Sequence, residues 1–158
     1  MRDFEKISYT QFARDVSANR ALYDEFQLPT RDSKRTAGYD FYLLADLDLA
    51  PGEIVKVPTG VKAFFADDEV LFLIVRSSTG FKYNIRLCNQ VGVIDADYYS
   101  NPDNEGHIWM KLQNESQEKL SFPKGTALVQ GIFMKYLATE NDSPRNKQRG
   151  GAYSAPQK

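Results

Sequence analysis

The residues best suited to chemistry lie in one stretch, from Arg76 to Tyr99, which reads RSSTGFKYNIRLCNQVGVIDADYY. It begins with Arg76, Ser77 and Ser78, directly after an apolar run that predicts a strand. A guanidinium fork beside hydroxyl and amide donors at a strand end can bind the oxygens of a phosphate. A charged turn that merely ends a strand explains the same residues, so this feature needs support from elsewhere in the chain.

A second group of polar residues closes the stretch, in the segment GVIDADYY. Val93 and Ile94 are typical of a buried strand edge that delivers Asp95, and Asp97 with Tyr98 suits a tight turn. The functional interpretation is a hairpin that projects the Asp95 carboxylate into a cleft, and the structural one is a plain β-hairpin. We discount a calcium site, because no EF-hand loop surrounds the aspartates and Ca²⁺ needs more oxygen ligands.

Three further polar residues lie where they could serve a site. Asp40 in AGYDFYL comes just past a glycine at a strand start, and Gln130 in GTALVQGIF interrupts an apolar strand. Asn89 lies shortly before the GVIDADYY segment. Each has a plainer explanation as a turn, capping or hydrogen-bonding residue. Since GxxxxGK[ST] and GxGxxG motifs are missing, any phosphate site must use side chains.

The elements that would position these residues are mostly strands. Alternating or β-branched runs predict strands at 54–57, 60–65, 70–75, 91–94, 107–112 and 127–136. The turn segments APGE, PTG, NPDNEG and FPKGT separate them, at a spacing typical of a sandwich, jelly roll or small barrel. Residues 8–27, with Ser8 and Gln11 at capping-box spacing, predict one or two short helices.

Composition narrows the class of protein. The 158 residues, 42% hydrophobic and 26% charged, fit one globular domain. A net charge of -1 argues against binding nucleic acid by bulk electrostatics. Cys88 and His107 are the single cysteine and histidine, which excludes an internal disulfide and an ordinary Cys/His zinc site. Because neither a signal peptide nor a membrane-spanning run is visible, we expect a cytoplasmic protein that binds no membrane.

Five segments, taken in order, resemble the five motifs of the trimeric dUTPases, the deoxyuridine triphosphate nucleotidohydrolases. They are AGYDFYL, RSSTGFK, GVIDADYY, GTALVQGIF and RGGAYS, and they run from Ala37 to Ser154. The resemblance, closest to Gram-positive bacterial and phage members, implies an all-β, jelly-roll-like β-clip domain at 36–138. A short helical N-terminal lead at 1–35 would precede it, and a flexible C-terminal arm at 139–158 would follow. The resemblance further implies Mg²⁺-dependent hydrolysis of dUTP to dUMP and pyrophosphate by a homotrimer with active sites between subunits.

On the phosphate side, the resemblance implies that Arg76, Ser77 and the backbone at Ser78 hold phosphate oxygens. Gln130 would contribute to the same contacts from its strand. Asp40 would contact Mg²⁺ through the metal's waters, or fix the Arg76 side chain.

On the nucleoside side, the resemblance makes Asp95 the residue that orients and deprotonates the water attacking the α-phosphorus. Tyr98 would pack under the deoxyribose and leave no room for a 2′-hydroxyl, and Trp109 would line the uracil pocket. A core position for this tryptophan remains the alternative. The uracil edge would meet Asn89 and the main chain of three successive residues, Gly92, Val93 and Ile94.

The last motif departs from the family form RGxGGFGSTG and reads RGGAYSAPQK here. Arg149 would reach the γ-phosphate and Tyr153 would cover the uracil. Ala152 and Ser154 stand where glycines are expected, and Arg145 is a competing phosphate clamp. A frayed terminus would explain the same composition.

Two rival functions stay open. A dCTP deaminase shares the fold and the RSS box, but its hairpin motif usually resembles DPGF where this chain has Asp95 to Tyr98. A regulatory module of the dUTPase fold would instead bind a partner protein through the insert at 101–107, which lengthens the hairpin beyond its usual size. Zinc-dependent cytidine deaminases are excluded, because the H-x-E and P-C-x-x-C ligands are missing.

Overall fold

A computed structural model describes residues 1–145 of the chain, and strands dominate it, as predicted. The strands are β1 (Asp3–Lys6), β2 (Tyr39–Tyr42), β3 (Leu47–Leu49), β4 (Ile54–Pro58), β5 (Val61–Phe64), β6 (Glu69–Val75), β7 (Ile85–Leu87), β8 (Gly92–Asp95), β9 (Trp109–Asn114), β10 (Leu120–Phe122) and β11 (Ala127–Lys135). The helices are α1 (Tyr9–Asp15), α2 (Arg20–Glu25) and α3 (Ser77–Tyr83), and one turn of 3-10 helix covers Ala96–Tyr98.

The strands pair antiparallel in sheets that place the candidate site residues. A four-stranded sheet has the order β2-β11-β6-β8, and a three-stranded sheet has the order β4-β9-β7. Smaller pairs join β1 to β5 and β3 to β10. Both larger sheets contribute to one apolar cluster, to which buried leucines such as Leu71 and Leu112 belong. Burying each such side chain stabilises the fold by about 1.5–3 kcal/mol.

Each of the six predicted strands overlaps an observed one, with ends that differ by at most two residues. The elements that the sequence did not indicate are short: β1, β3, β7 and β10 have three or four residues each. Helix α3 also escaped prediction, because its sequence SSTGFKY has no apolar periodicity and Phe81 is 95% exposed. Short elements depend on tertiary contacts more than on local pattern.

The N-terminal lead is joined to the β domain through strand pairing and the core. The two predicted helices are present, and Ser8 caps α1 by accepting a hydrogen bond from the Gln11 N–H. Strand β1, which was not predicted, pairs with β5. Phe4 and Phe12 are buried in the core, and the Phe12 ring stacks on Phe26 at 5.5 Å.

The insert at 101–107 lies against this lead. Arg14 donates a hydrogen bond to the Asp103 carbonyl at 2.9 Å, and the Ser8 N–H donates to a Glu105 carboxylate oxygen at 2.9 Å. His107, which is fully buried, has its Nδ1 at 2.7 Å from an Asp15 carboxylate oxygen. The insert is therefore a folded part of the domain.

The buried His107 is neutral in this arrangement. The Gly60 N–H donates to Nε2 at 2.9 Å, so Nε2 carries the lone pair and Nδ1 carries the hydrogen that is donated to Asp15. Burial lowers the pKa of His107, although hydrogen bonding to Asp15 opposes the shift. Protonation at Nε2 would break the bond from Gly60.

We expect this histidine to make the fold less stable as the pH falls. In the unfolded chain His107 takes up a proton near its ordinary pKa of about 6.5, whereas the folded chain resists until a lower pH. The unfolded state then binds more protons, so the free energy of unfolding falls by at most about 1.4 kcal/mol per pH unit between those two pKa values. Urea unfolding between about pH 7.5 and 5 measures the slope.

His107→Gln provides the control for this slope. Because His107 is the only histidine in the sequence, the glutamine variant should lose most of the pH dependence in that range. Burial raises the pKa of Asp40, and this shift makes the free energy of unfolding rise as the pH falls, opposite to the effect of His107. The wild type and the glutamine variant share this contribution. Equal slopes in the two proteins would contradict the assignment.

Candidate active site

The end of β6 carries the first part of the site. Strand β6 ends at Val75, and Arg76 is the N-cap residue of α3. The Arg76 backbone N–H donates to the Leu128 carbonyl at 3.0 Å. The Arg76 Nε lies 3.2 Å from Asp40 Oδ1, across the sheet on β2. On β11, which runs between β2 and β6, Gln130 pairs directly with Asp40. The fold thus brings together three polar residues that are far apart in sequence.

The Arg76 side chain has one buried and one exposed carboxylate partner. Asp40 is 6% exposed; burial raises its pKa, Arg76 counteracts the rise and Asp32 adds to it. Asp32, whose side chain is 67% exposed, has a carboxylate oxygen 3.2 Å from Arg76 Nη2. Exposed ion pairs contribute about 0–1 kcal/mol, so the outer nitrogen can exchange Asp32 for another anion at little cost. The inner pair fixes the direction of the guanidinium.

A glycine makes room for the Gln130 side chain. A Cβ at Gly38 would lie 2.0 Å from Gln130 Oε1, so any larger residue there would displace the amide. Gly38 was given no role from the sequence, although a glycine two residues before Asp40 could have indicated one. Gly38 therefore helps to set the position of Gln130, a candidate phosphate-binding residue.

The two serines lie in the first turn of α3, and both are exposed. Thr79, next along the helix, is fully buried and donates its hydroxyl to the Leu128 carbonyl at 2.8 Å. That bond holds α3 against β11 and leaves Ser77 and Ser78 accessible beside Arg76. Sequence reasoning missed Thr79, because a threonine after two serines has no local signal of burial.

Asp95 lies at the opposite end of β6. In the ladder between β6 and β8, Asp95 pairs with Val70, whereas Arg76 follows Val75 at the other end. Strands rise about 3.3 Å per residue, so about 17 Å of β6 separates the two ends. Within one chain, Arg76 and Asp95 therefore lie at opposite ends of β6.

The Asp95 carboxylate is half-buried and borders a cavity of about 320 Å³. The other lining residues are Asp67, Ala96, Asp97 and Tyr136. Of the predicted pair beside Asp95, Ile94 is 4% exposed as expected, but the expectation of burial was wrong for Val93, which is 49% exposed. Strand β8 is the edge of its sheet, and alternate residues face opposite sides.

Asn89 and Trp109, both predicted for the nucleoside side, line one cavity of about 320 Å³. Cys88, Met110 and two lysines complete its lining. The Trp109 ring also packs on His107, with centroids 5.0 Å apart, and its buried Nε1 has no hydrogen-bond partner in the described part of the chain. Trp109 is therefore half-buried, with one cavity beside it and the His107 ring against it. Gly92 packs on Leu73, where an added Cβ would lie 3.0 Å from the leucine Cβ.

Tyr98 is more buried than a purely ligand-binding residue would be, at 5% exposure. Its hydroxyl donates to the His107 carbonyl at 2.9 Å and accepts from Asn104 Nδ2 at 2.8 Å. Of the residues predicted in the arm, Arg149 and Tyr153 lie outside the described residues. Arg145 is exposed.

Within residues 1–145, no group of three or more His, Cys, Asp or Glu side chains gathers as a protein-only metal site would require. The resemblance implies Asp40 as a metal contact, and in the structure the Asp40 carboxylate forms an ion pair with Arg76. No helix in the described part of the chain is long and apolar enough to cross a membrane.

Comparisons with known proteins find relatives in both sequence and fold. The family model described as dUTPase matches residues 24–155. A deoxyuridine 5′-triphosphate nucleotidohydrolase of Lactococcus lactis is 43% identical over 129 residues, which cover 81% of this chain and 86% of the relative. The crystal structure of dUTPase from Streptococcus mutans superposes with a TM-score of 0.71 at 38% identity, covering 87% of this chain and 98% of that one.

A more distant match has the same fold. The D95N mutant dUTPase of phage phi11 of S. aureus, studied for the coordination of a structural Mg(II) ion, gives a TM-score of 0.66 at 18% identity. It covers 91% of this chain and 96% of that chain. Since the match extends over almost the whole chain, the N-terminal lead and the insert are compatible with this fold.

Proposed function

The chain belongs to the dUTPase family, and we propose that it hydrolyses dUTP to dUMP and pyrophosphate by attack of water on the α-phosphorus. Such a reaction limits uracil in DNA and supplies dUMP for thymidylate synthesis. The observation that carries the proposal is the Arg76 guanidinium, paired with the buried Asp40 and followed in the chain by two exposed serines. That arrangement suits a phosphate ligand.

Phosphate binding would exchange the partner of one guanidinium nitrogen. The Arg76 Nε keeps its ion pair with Asp40, and the nitrogen that now meets Asp32 turns to a phosphate oxygen. Ser77 and Ser78 add donors from the exposed first turn of α3. Gln130 adds an amide, which Gly38 allows to lie close to the β2 backbone. Positioned donors of this kind stabilise charge without reorganising during the reaction.

Mg²⁺ would be held chiefly by the triphosphate, since Mg²⁺ keeps several waters and often binds through substrate phosphates with few protein carboxylates. Asp40 would act as a water-mediated ligand, although its contact to Arg76 supports the alternative role of fixing that side chain. The metal would supply neutralisation of phosphate charge. The carboxylates of residues 1–145 fit this arrangement better than a cage made by protein alone.

Asp95 would orient the attacking water and accept its proton. Its position at the end of β8, in a turn fixed by the β6 ladder, provides the rigid placement that a general base needs. Asn89 and the main chain at 92–94 would read the uracil edge, and Tyr98 would face the deoxyribose. A site that pairs buried polar groups rejects mismatched bases far better than an apolar pocket does.

We infer that the enzyme is a homotrimer with each site shared between subunits. The opposite positions of Arg76 and Asp95 on β6 support this, because a neighbouring chain could place its Asp95 near the Arg76 of the first. Exposed apolar side chains that an interface would cover include Val91, Val93, Met134, Tyr136 and Leu137.

The rival functions are less well supported. The close relatives are named as nucleotidohydrolases of deoxyuridine 5′-triphosphate, which speaks against deamination of dCTP. A partner-binding role for the insert is disfavoured, because Asn101, Asn104 and His107 all face inward. The exposed Pro102 and Asp103 and the part-exposed Glu105, which already contacts Ser8 and Lys62, would be left to meet such a partner.

A pyrophosphate-release assay with Mg²⁺ tests the proposed function. We expect strong turnover of dUTP, with kcat/KM for dTTP, dCTP and UTP lower by about 10³-fold or more, because each lacks a group the site pairs with or adds one it excludes. Comparable turnover of dCTP, or ammonia release from it, would overturn the assignment.

A further inference from the structure

The N-terminal lead and the insert have no role in the chemistry described above, yet the structure joins them through buried polar contacts. His107 connects the two by bonding Asp15 at 2.7 Å through Nδ1 and accepting from Gly60 at 2.9 Å through Nε2. Nearer the surface, the Glu105 carboxylate accepts hydrogen bonds from the backbone N–H and the hydroxyl of Ser8. Its Oε2 lies 3.5 Å from Lys62 Nζ. Helix α1 with its cap, and strand β5 with the turn before it, therefore meet at the insert.

Inside the insert, two asparagines form a network around Tyr98. Asn101 Nδ2 donates to the Tyr98 carbonyl at 2.9 Å and to Asn104 Oδ1 at 2.8 Å. Asn104 Nδ2 donates to the Tyr98 hydroxyl at 2.8 Å, and that hydroxyl donates to the His107 carbonyl at 2.9 Å. Asn104 is fully buried, so each of these bonds replaces one to water.

The same network sets an unusual backbone. Ser100, Glu105 and Gly106 all have positive φ, and the Gly106 N–H donates to Asn104 Oδ1 at 3.1 Å. A Cβ at Gly106 would lie 2.8 Å from the Tyr98 carbonyl oxygen, so the loop closes directly over that residue. Such conformations persist where surrounding contacts determine them.

Tyr98 in turn adjoins the candidate catalytic turn. Tyr98 is the last residue of the 3-10 helix Ala96–Tyr98, which directly follows Asp95. The β6 ladder fixes the turn at the Asp95 end, and the asparagine network fixes it at the Tyr98 end. The backbone carbonyl and the side-chain hydroxyl of Tyr98 are both hydrogen-bonded. The ring is therefore held rigidly, because neither the backbone nor the side chain can shift without breaking buried hydrogen bonds.

We propose that helix α1 and the insert act as one unit that positions Tyr98, with Asn104 as the central positioning residue and Asp15 as its support through His107. This rests on the proposed function, in which Tyr98 excludes a 2′-hydroxyl. Loosening the unit should therefore weaken discrimination between dUTP and UTP. Placement errors of about 1 Å can change rates by about 10²-fold.

The test compares kcat/KM for dUTP with kcat/KM for UTP. This ratio does not depend on the fraction of folded enzyme, so destabilisation alone leaves it unchanged. We expect Asn104→Ala to lower the ratio by about tenfold or more, and Asp15→Ala by about threefold, since its effect is indirect. Tyr98→Phe, which removes only the hydroxyl that Asn104 and His107 bind, should lower it like Asn104→Ala.

Asn114→Ala is the matched control. Asn114 is also fully buried, and its Nδ2 bonds three backbone carbonyls, at Leu49, Ala50 and Glu118, away from Tyr98. Its loss should cost similar stability and leave the ratio at the wild-type value. Wild-type ratios in both Asn104→Ala and Tyr98→Phe would overturn the proposal, and a wild-type ratio in Asp15→Ala would remove α1 from it. A wild-type enzyme that does not hydrolyse dUTP would instead refute the proposed function.

Discussion

Replacing Asp95 with asparagine is expected to lower kcat for dUTP by about 10²- to 10⁴-fold, the range typical of a positioned general base. The amide keeps the shape of the side chain and cannot accept the proton from water. The phosphate contacts at Arg76 lie at the other end of β6, so dUTP affinity should stay within about tenfold of wild type. Steady-state kinetics together with equilibrium binding of dUTP separates the two effects.

Asp97→Asn is the matched control for that experiment. Asp97 belongs to the same turn and borders the same cavity, but it is exposed, and we give it no part in the reaction. We expect wild-type kcat for this variant. If Asp95→Asn and Asp97→Asn lowered kcat equally, the net charge of the turn would be responsible, and the assignment of the base would be wrong.

Two inactive variants are expected to restore activity to each other when mixed. Arg76→Ala should lose about 10²-fold or more in kcat/KM, because it removes a charged hydrogen-bond donor and leaves Asp40 buried without its cation. Asp95→Asn fails for a different reason. In mixed trimers with shared sites, some sites combine the intact Arg76 of one chain with the intact Asp95 of another.

The recovery has a calculable limit. After subunit exchange at equal amounts, about half of the sites hold an intact Asp95 and, independently, about half hold an intact Arg76, so about a quarter regain both. Coupled unfolding and refolding of the mixture, followed by the pyrophosphate assay, measures it. A mixture no more active than its separate components would show that each site uses Arg76 and Asp95 from a single chain.

Much of the fold was predictable because the signals were local. The run VLFLIV at 70–75 has the length and β-branched content of a buried strand, and the observed β6 differs from it by one residue. The capping pair at Ser8 and Gln11 likewise marked the start of α1.

The parts that escaped prediction depend on distant contacts. The family resemblance implied the contact of Asp40 with Arg76 only as one of two roles, because no local signal shows it and it requires the register of β2 on β11. The burial of Asn104 and His107 escaped for the same reason, since polar residues in a Pro- and Gly-containing segment are typical of exposed turns. The docked helix α1 contacts His107 through Asp15, and the partners of Asn104 lie in the insert and at Tyr98.

The hydrogen bonds between α1 and the insert also constrain how this protein can change during evolution. Shortening the hairpin alone would remove the contacts that Asp15 and Ser8 make to the insert, and losing the helix alone would take the Asp15 contact from His107. Intermediates with only one of the two parts would be penalised, so both should be inherited or lost together. Engineers who graft the long hairpin onto a relative should transfer residues 8–15 with it.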